Sequence, residues 1–250
     1  MAKKFYVVWR GVKTGVFHDW PTALALVDGF AGAQYKSFPT LAEAEAAFRG
    51  GAPVRSGASA AGSSKPRVAR TDHADAVAAS DTVIFCDGAC DPNPGRAGSG
   101  MAVYGSGKLA SLWYGAYNPA GTNNTAELNA LLRALMLAKA EIQAGRTVQV
   151  RSDSSYGLNA VTKWAAGWKK RGWRKADGEI KNLEIIRELH GLYEEIEGDV
   201  TLAHVSAHVG IEGNELADRM AMLAVDRREL KWVEYEGSLD VAKILSMRAG

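Results

Sequence analysis

TVIFCDGACDPNPG, residues 82–95, begins as a short apolar strand and then turns abruptly polar, with Asp87 set directly after the apolar run. An ordinary strand keeps apolar or neutral side chains beside a buried backbone, so a carboxylate there needs a partner. Working outward, SGMAVYG (99–105) and LASLWYGAY (109–117) read as two further strands, and Gly105-Ser106-Gly107 supplies a hairpin turn. A long helix is predicted from Thr125 to Ala144, because Leu128, Leu131, Leu132, Leu135 and Ile142 recur at helical spacing and Gly145 sits where a stop belongs. Then come the strand TVQVRSD (147–153), a helix through Leu158 and Val161, a basic tryptophan-rich segment and a helix over Asn182–Ile196. The strand VTLAHVSAH and a last helix from Glu215 to about Arg227 complete the series. Three consecutive strands followed by strand-helix alternation predict an α/β domain over 81–228, a mixed five-stranded sheet with flanking helices. Residues 229–250 carry no legible pattern.

Upstream, KFYVVWRG and TGVFHDW read as strands joined by a turn at Lys13-Thr14-Gly15, and Pro21 opens a helix. The strand QYKSF and the capping box Thr40-Leu41-Ala42-Glu43, which starts a helix ending near Phe48, complete a small ββαβα domain over 1–49. Between the two domains, 20 of the 31 residues from Gly50 to Ser80 are Gly, Ala, Ser or Pro and none is aromatic. Such a stretch buries too little surface to offset its ordering entropy, so 50–80 reads as a flexible linker.

The chain has 250 residues, 47% of them hydrophobic and 23% charged, which excludes wholesale disorder. No run of 18 apolar residues and no export-type start is present, so the expectation is a cytoplasmic protein without a membrane partner. Cys86 and Cys90, four apart, cannot staple a secreted domain and make a poor zinc site; both are expected to be reduced and structural. A net charge of +2 identifies no partner, but seven Lys/Arg against two acids between Thr162 and Lys181 form a local basic patch.

Asp153 repeats the arrangement of Asp87 at the end of its own strand, where open sheets place ligands. Glu127, early in the long helix, and Asp218, one helical turn after Asn214, could join them. Four clustered carboxylates disfavour joint ionisation, and two Mg²⁺ or Mn²⁺ ions would remove that conflict. Such a pair suits phosphodiester hydrolysis. Each residue alone has another reading. Asp87-Gly88 fits a strand-end turn, Asp153-Ser154-Ser155 an Asx turn or cap, Asn124 to Glu127 a capping box, and Asp218 a solvated charge. His208, in the loop SAHVGIEGN, could assist a leaving group or simply be exposed, while His204 reads as structural. Trp164, Trp168 and Trp173 interleave with the basic charges; Trp164 and Trp168 read equally as a base- or sugar-stacking surface and as an apolar stripe. Tyr6, Trp9, Trp20, Tyr35 and Phe38 exceed what so small a core needs, and some are expected to stack on nucleic acid.

The strings CDGACDPNPG, GTNNTAEL, RSDSSYG and HVGIEGNELADRMA, in this order, resemble the ribonuclease H type 1 family over about residues 80 to 228. The resemblance implies a ribonuclease H-like fold and endonucleolytic cleavage of the RNA strand of RNA/DNA hybrids with two Mg²⁺, leaving 3′-hydroxyl and 5′-phosphate ends. It assigns Asp87, Glu127, Asp153 and Asp218 to the metals and adds His208 to the catalytic set. It also implies RNA contacts by Asn93, Asn123 and Asn124, a DNA-phosphate site at Thr122 and Asn182, and a basic protrusion carrying Trp164 and Trp168. Ala120 and Ser155 depart from the pattern of some members. Residues 4 to 48 resemble the small hybrid-binding domain that precedes some of these enzymes, which places Tyr6, Trp20, Tyr35 and Lys36 on nucleic acid. Ser37 stands where some members have a second Lys. The implied partners are an RNA/DNA hybrid and, for the N-terminal domain, double-stranded RNA; the implied state is a monomer. A non-catalytic hybrid-binding protein on a decayed scaffold, and a nuclease of related fold acting on DNA or DNA junctions, are the alternatives.

Overall fold

The computed structural model describes residues 4–10, 12–27, 34–50, 80–175, 178–207 and 209–250. Nearly all of the 50–80 linker, and His208, lie outside the described residues. The chain divides into two compact units, residues 1–66 and 67–250.

In the first unit, β1 (Phe5–Arg10) is the central strand of an antiparallel sheet, flanked by β2 (Gly15–Phe17) and β3 (Gln34–Phe38). Val7 and Val8 on β1 are fully buried, as are Ala23 of α1 (Trp20–Val27) and Ala44 of α2 (Leu41–Arg49). Thr40 caps α2, its hydroxyl accepting from the Glu43 amide at 3.3 Å. So small a core leaves its aromatic side chains partly outside. Trp20 lies between Tyr6 and Tyr35, with ring centroids 5.2 and 5.5 Å apart, and Tyr35 is 48% exposed.

The second unit is built on β4 (Thr82–Asp91), β5 (Gly95–Gly105), β6 (Lys108–Gly121), β7 (Val148–Ser152), β8 (Val200–His204) and β9 (Val233–Glu234). They form one sheet in the order β8-β7-β4-β5-β6-β9. The β4–β7 and β7–β8 pairs are parallel and the others antiparallel. Among the described residues the mixed sheet therefore has six strands, not five. The sixth comes from residues 229–250, whose two strand residues pair with Trp113 and Tyr114 of β6; two residues are too short to show an alternating pattern in sequence.

Alternation along β4 sends Ile84 and Cys86 to one face and Val83 and Phe85 to the other. The first face is covered by α3 (Asn123–Gln143) and α6 (Leu183–Ile196), burying Leu128, Leu131, Leu135, Ile186 and Leu189. The second is covered by α7 (Glu212–Arg227), burying Leu216 and Met220 with Leu112 of β6. Between β7 and α6 the chain forms α4 (Ser155–Asn159), a wide π turn at Ala160–Trp164 and α5 (Ala165–Lys170). After β9, α8 (Val241–Leu245) docks by burying Ile244 completely.

Two glycines allow the helices to lie close to the sheet. A Cβ on Gly88 would stand 2.2 Å from the Glu127 amide nitrogen, and one on Gly100 would stand 2.2 Å from the Ala217 carbonyl oxygen. Only glycine fits either contact.

Candidate active site

Asp87 is not beyond its strand, as the sequence suggests, but inside it. β4 continues against β5 to Asp91, opposite Arg96, whereas its parallel partner β7 is paired only as far as Phe85 and Arg151. Asp87 thus sits where the parallel pair ends and the antiparallel pair goes on. Asp153 follows β7 immediately, so both acids lie at the carboxyl end of the parallel section.

Glu127 is not a capping residue. The N-cap of α3 is Thr122, whose hydroxyl accepts from the Thr125 amide at 3.2 Å while the Thr125 hydroxyl accepts from the Thr122 amide at 2.8 Å. The capping box expected at Asn124 to Glu127 is therefore two residues too late, and the Glu127 carboxylate is left out of the cap and turned to the site. It accepts from Asn123 Nδ2 at 2.8 Å and from the Ser154 hydroxyl. Asp218 stands on α7, which starts at Glu212 and not at the expected Glu215. One turn earlier, Asn214 donates to Asp153 at 2.8 Å, while its own Oδ1 is buried without a partner.

The electrostatics record how near these groups are. Asp87 is 8% exposed, and its carboxyl is held well above the usual carboxylate range by burial first, then by the charges of Asp153 and Asp218, with Glu127 adding to them. Burial likewise raises Glu127, with Asp153 adding to it, against the hydrogen bonds from Ser154 and Asn123. The four acids face one end of the sheet, but each is turned toward a protein donor. Among the described residues no three His, Cys, Asp or Glu side chains form a ready-made metal cage. The donor set, hard oxygens carrying more negative charge than the burial tolerates, is nevertheless the kind that suits Mg²⁺ or Mn²⁺.

Beside the acids, Asn93, Thr122, Asn124, Thr125, Lys181 and Asn182 line a cleft of about 460 Å³. Asn93 accepts from the Asn123 amide at 3.2 Å, which fixes the loop before β5 against the start of α3. Asn182, in a left-handed conformation at φ 58°, begins α6. A neighbouring cavity of about 820 Å³ is lined by Tyr156, Lys163, Trp164, Trp168, Arg171, Lys175 and Lys181 among others. There Trp164 lies between the tilted rings of Tyr156 and Trp168, each centroid 5.9 Å away, and it is 39% exposed. Trp168 packs partly against the core, and Trp173 lies edge-on to His190. The basic segment is thus both anchored and open. Sequence reasoning missed Ser154 and left Asn214 without a role. Both act across the fold, and the only local signal was their closeness to an acid in sequence.

A family profile described as RNase H matches residues 79–226, and one described as the Ribonuclease H1 N-terminal domain matches residues 4–48. The chain belongs to the RNase H family. Ribonuclease H1 of Mus musculus is 34% identical to this RNase H chain over 87% of each. A Ribonuclease H of Methylorubrum extorquens is 40% identical over 148 residues, which is 59% of this chain and 60% of that protein. Among solved structures, LC9-RNase H1, a type 1 RNase H with the type 2 active-site motif, matches with a TM-score of 0.51 at 24% identity, over 67% of this chain and 85% of that one. A foamy viral protease-reverse transcriptase in complex with RNA/DNA hybrid matches with a TM-score of 0.53 at 16% identity, over 67% of this chain and 22% of that one. At these identities the two structures bear on the fold of the RNase H domain alone.

Proposed function

We propose that the chain is a divalent-cation-dependent endoribonuclease that hydrolyses the RNA strand of RNA/DNA hybrids and leaves 3′-hydroxyl and 5′-phosphate ends. Family membership supports the reaction class. The observation that carries the reading is the buried Asp87, whose carboxyl is raised by burial and by three neighbouring acids. Such a cluster is unfavourable when ionised unless cations share it.

Asp87, Glu127, Asp153 and Asp218 would hold two Mg²⁺, or Mn²⁺ in their place. Bound there, the ions supply an activated water and neutralise charge on the phosphate oxygens. Ser154 and Asn123 fix the Glu127 carboxylate, and Asn214 fixes that of Asp153, so less ordering is left for the moment of reaction. His208 is assigned the transfer of a proton to the leaving oxygen or the release of product. Asn93, Asn123 and Asn124 are assigned to the RNA strand, where amide side chains can read the 2′-hydroxyl. Thr122, Asn182 and Lys181, at the starts of two helices, suit a DNA phosphate. Trp164 and Trp168 with their lysines and arginines grip the DNA strand.

The Tyr6-Trp20-Tyr35 ladder with Lys36 beside it forms the second contact surface, for hybrid or double-stranded RNA. The domain limits 1–49 and 81–228, the linker between them and a monomeric, cytoplasmic enzyme belong to the same proposal. No described helix is long and apolar enough to cross a membrane.

The test is a substrate panel: labelled RNA/DNA hybrid, DNA duplex, branched DNA and double-stranded RNA, each with Mg²⁺, Mn²⁺ or EDTA. Internal cuts confined to the RNA of the hybrid, abolished by EDTA, are expected. Cleavage of the DNA substrates, or binding without cleavage, would overturn the reading.

A further inference from the structure

Three of the four acids accept hydrogen bonds from neutral donors near the sheet end: Asp87 from the next amide, Gly88, at 2.7 Å, Glu127 from Asn123 and Ser154, and Asp153 from Asn214. Asp218 is different. Its Oδ2 accepts from Arg219 Nη1, and the Gly250 amide reaches both carboxylate oxygens, at 3.0 and 3.3 Å. Gly250 lies 32 residues further along and is brought there by the path of the chain after α8. Ile244 anchors that helix, but Ser246, Arg248, Ala249 and Gly250 are exposed. The segment is held by Arg248, which pairs with Asp91 of β4 and, at 2.7 Å, with Asp226 of α7. It is also held by the Gly250 contact itself, where a Cβ would come within 2.6 Å of Asp218 Oδ1.

We propose that residues 246–250 form an autoinhibitory strap that competes with a divalent cation for Asp218; this rests on the reading of Asp218 as a cation ligand. A carboxylate offers about four lone-pair sites. On Asp218, Arg219 and the Gly250 amide take both of those on Oδ2, and the same amide takes one on Oδ1, with the strap backbone lying against that oxygen. A dication must therefore displace the strap to reach Asp218 freely, whereas the oxygens of Glu127 that accept from Asn123 and Ser154 each keep a site open. The strap is suited to reversible release because its ion pairs are exposed and therefore weak and salt-sensitive, while the anchor at Ile244 stays in place. A site that is competent only in the released fraction binds with an affinity lowered by that fraction. The docked strap thus sets the cation concentration at which the enzyme becomes active.

The experiment titrates Mn²⁺, with free ion read by electron paramagnetic resonance, into the full chain, Arg248→Ala, a variant ending at Ser246 and Asp218→Asn. In parallel the Gly250 amide resonance of the full chain is followed as Mg²⁺ is added. The expected result is binding tightened by about threefold to tenfold in both strap variants, with the Gly250 amide shifting in step with occupancy in the full chain. Arg248→Ala keeps the whole chain and the Ile244 anchor, so a folding failure of the shortened variant leaves the test intact. Binding weakened by Asp218→Asn but equal in the full chain and the strap variants would overturn the strap and leave the cation reading standing. Binding indifferent to Asp218→Asn would overturn the cation reading and the strap together.

Discussion

At Asp87 a carboxylate is buried among like charges, a cost that the proposed cation site would offset. Asp87→Asn keeps the shape and removes the charge, so cation-supported cleavage should fall by about 1,000-fold or more while hybrid binding, measured by anisotropy, stays within about twofold. Turnover near wild type would remove Asp87 from the site. Folding should respond in the opposite sense. Asp87 and Glu127 both have carboxyls raised in the folded chain, so the native state binds more protons than the unfolded state between the ordinary carboxylate range and the raised values. Their contribution is therefore fully present at low pH and is lost as pH rises through the raised values. Without divalent cations, the denaturant midpoint should show this downward component with rising pH. Asp87→Asn should remove most of it, and Mg²⁺ should flatten it in the full chain. An unchanged pH profile in Asp87→Asn would contradict the assignment. Such a group announces itself only weakly in sequence. Asp87 could be suspected because it follows an apolar run, but a strand-end turn explained it as well until the continuing β4–β5 register placed it inside the sheet.

The start of α3 joins stability to the site at the scale of an element. Thr122→Ala removes the cap and should lower stability by about 1 kcal/mol, or about 2–4 °C in the melting temperature of a domain this size. It should also weaken hybrid binding, because Thr122 lines the same cleft as Asn124 and Asn182. A melting temperature equal to wild type would count against the cap. The opposite pattern is expected for the basic segment. Trp164 is partly exposed rather than buried, so Trp164→Ala should weaken hybrid binding by about 5- to 150-fold, following roughly 1–3 kcal/mol per stacked base, and leave the melting temperature nearly unchanged. A large thermal loss with normal binding would return Trp164 to the apolar-stripe reading. These elements were foreseeable, but their exact starts were not. In TNNTAEL two overlapping capping patterns compete, and the choice of Thr122 over Asn124 freed Glu127.

At the scale of the whole molecule, the proposed linker over 50–80 would let both units engage one duplex. A random coil of that length would span about 30 Å r.m.s., taking roughly 5–6 Å times the square root of its length. Such a tether would correspond to an effective concentration near the mM range. Deleting residues 1–50 should therefore raise the Kd for hybrid by about tenfold or more and reduce its salt dependence, while single-turnover cleavage at saturating enzyme stays near normal. A large loss at saturation would show that the first unit takes part in the chemistry. The chain after α7 belongs to this scale as well. Residues 229–250, illegible as a pattern, supply the sixth strand and a helix anchored by Ile244, so the second unit extends beyond the expected limit at 228.

The sequence by itself determined the alternation of strands and helices, the two units, and the family through four acid-bearing strings, because periodicity and local turn chemistry act between residues close in the chain. Only the tertiary structure decided which donor holds which acid. Ser154 meets Glu127 across 27 residues, Asn214 meets Asp153 across 61, and Gly250 meets Asp218 across 32. Those distances are bridged by packing helices on both faces of one sheet, and packing depends on every side chain of the core at once.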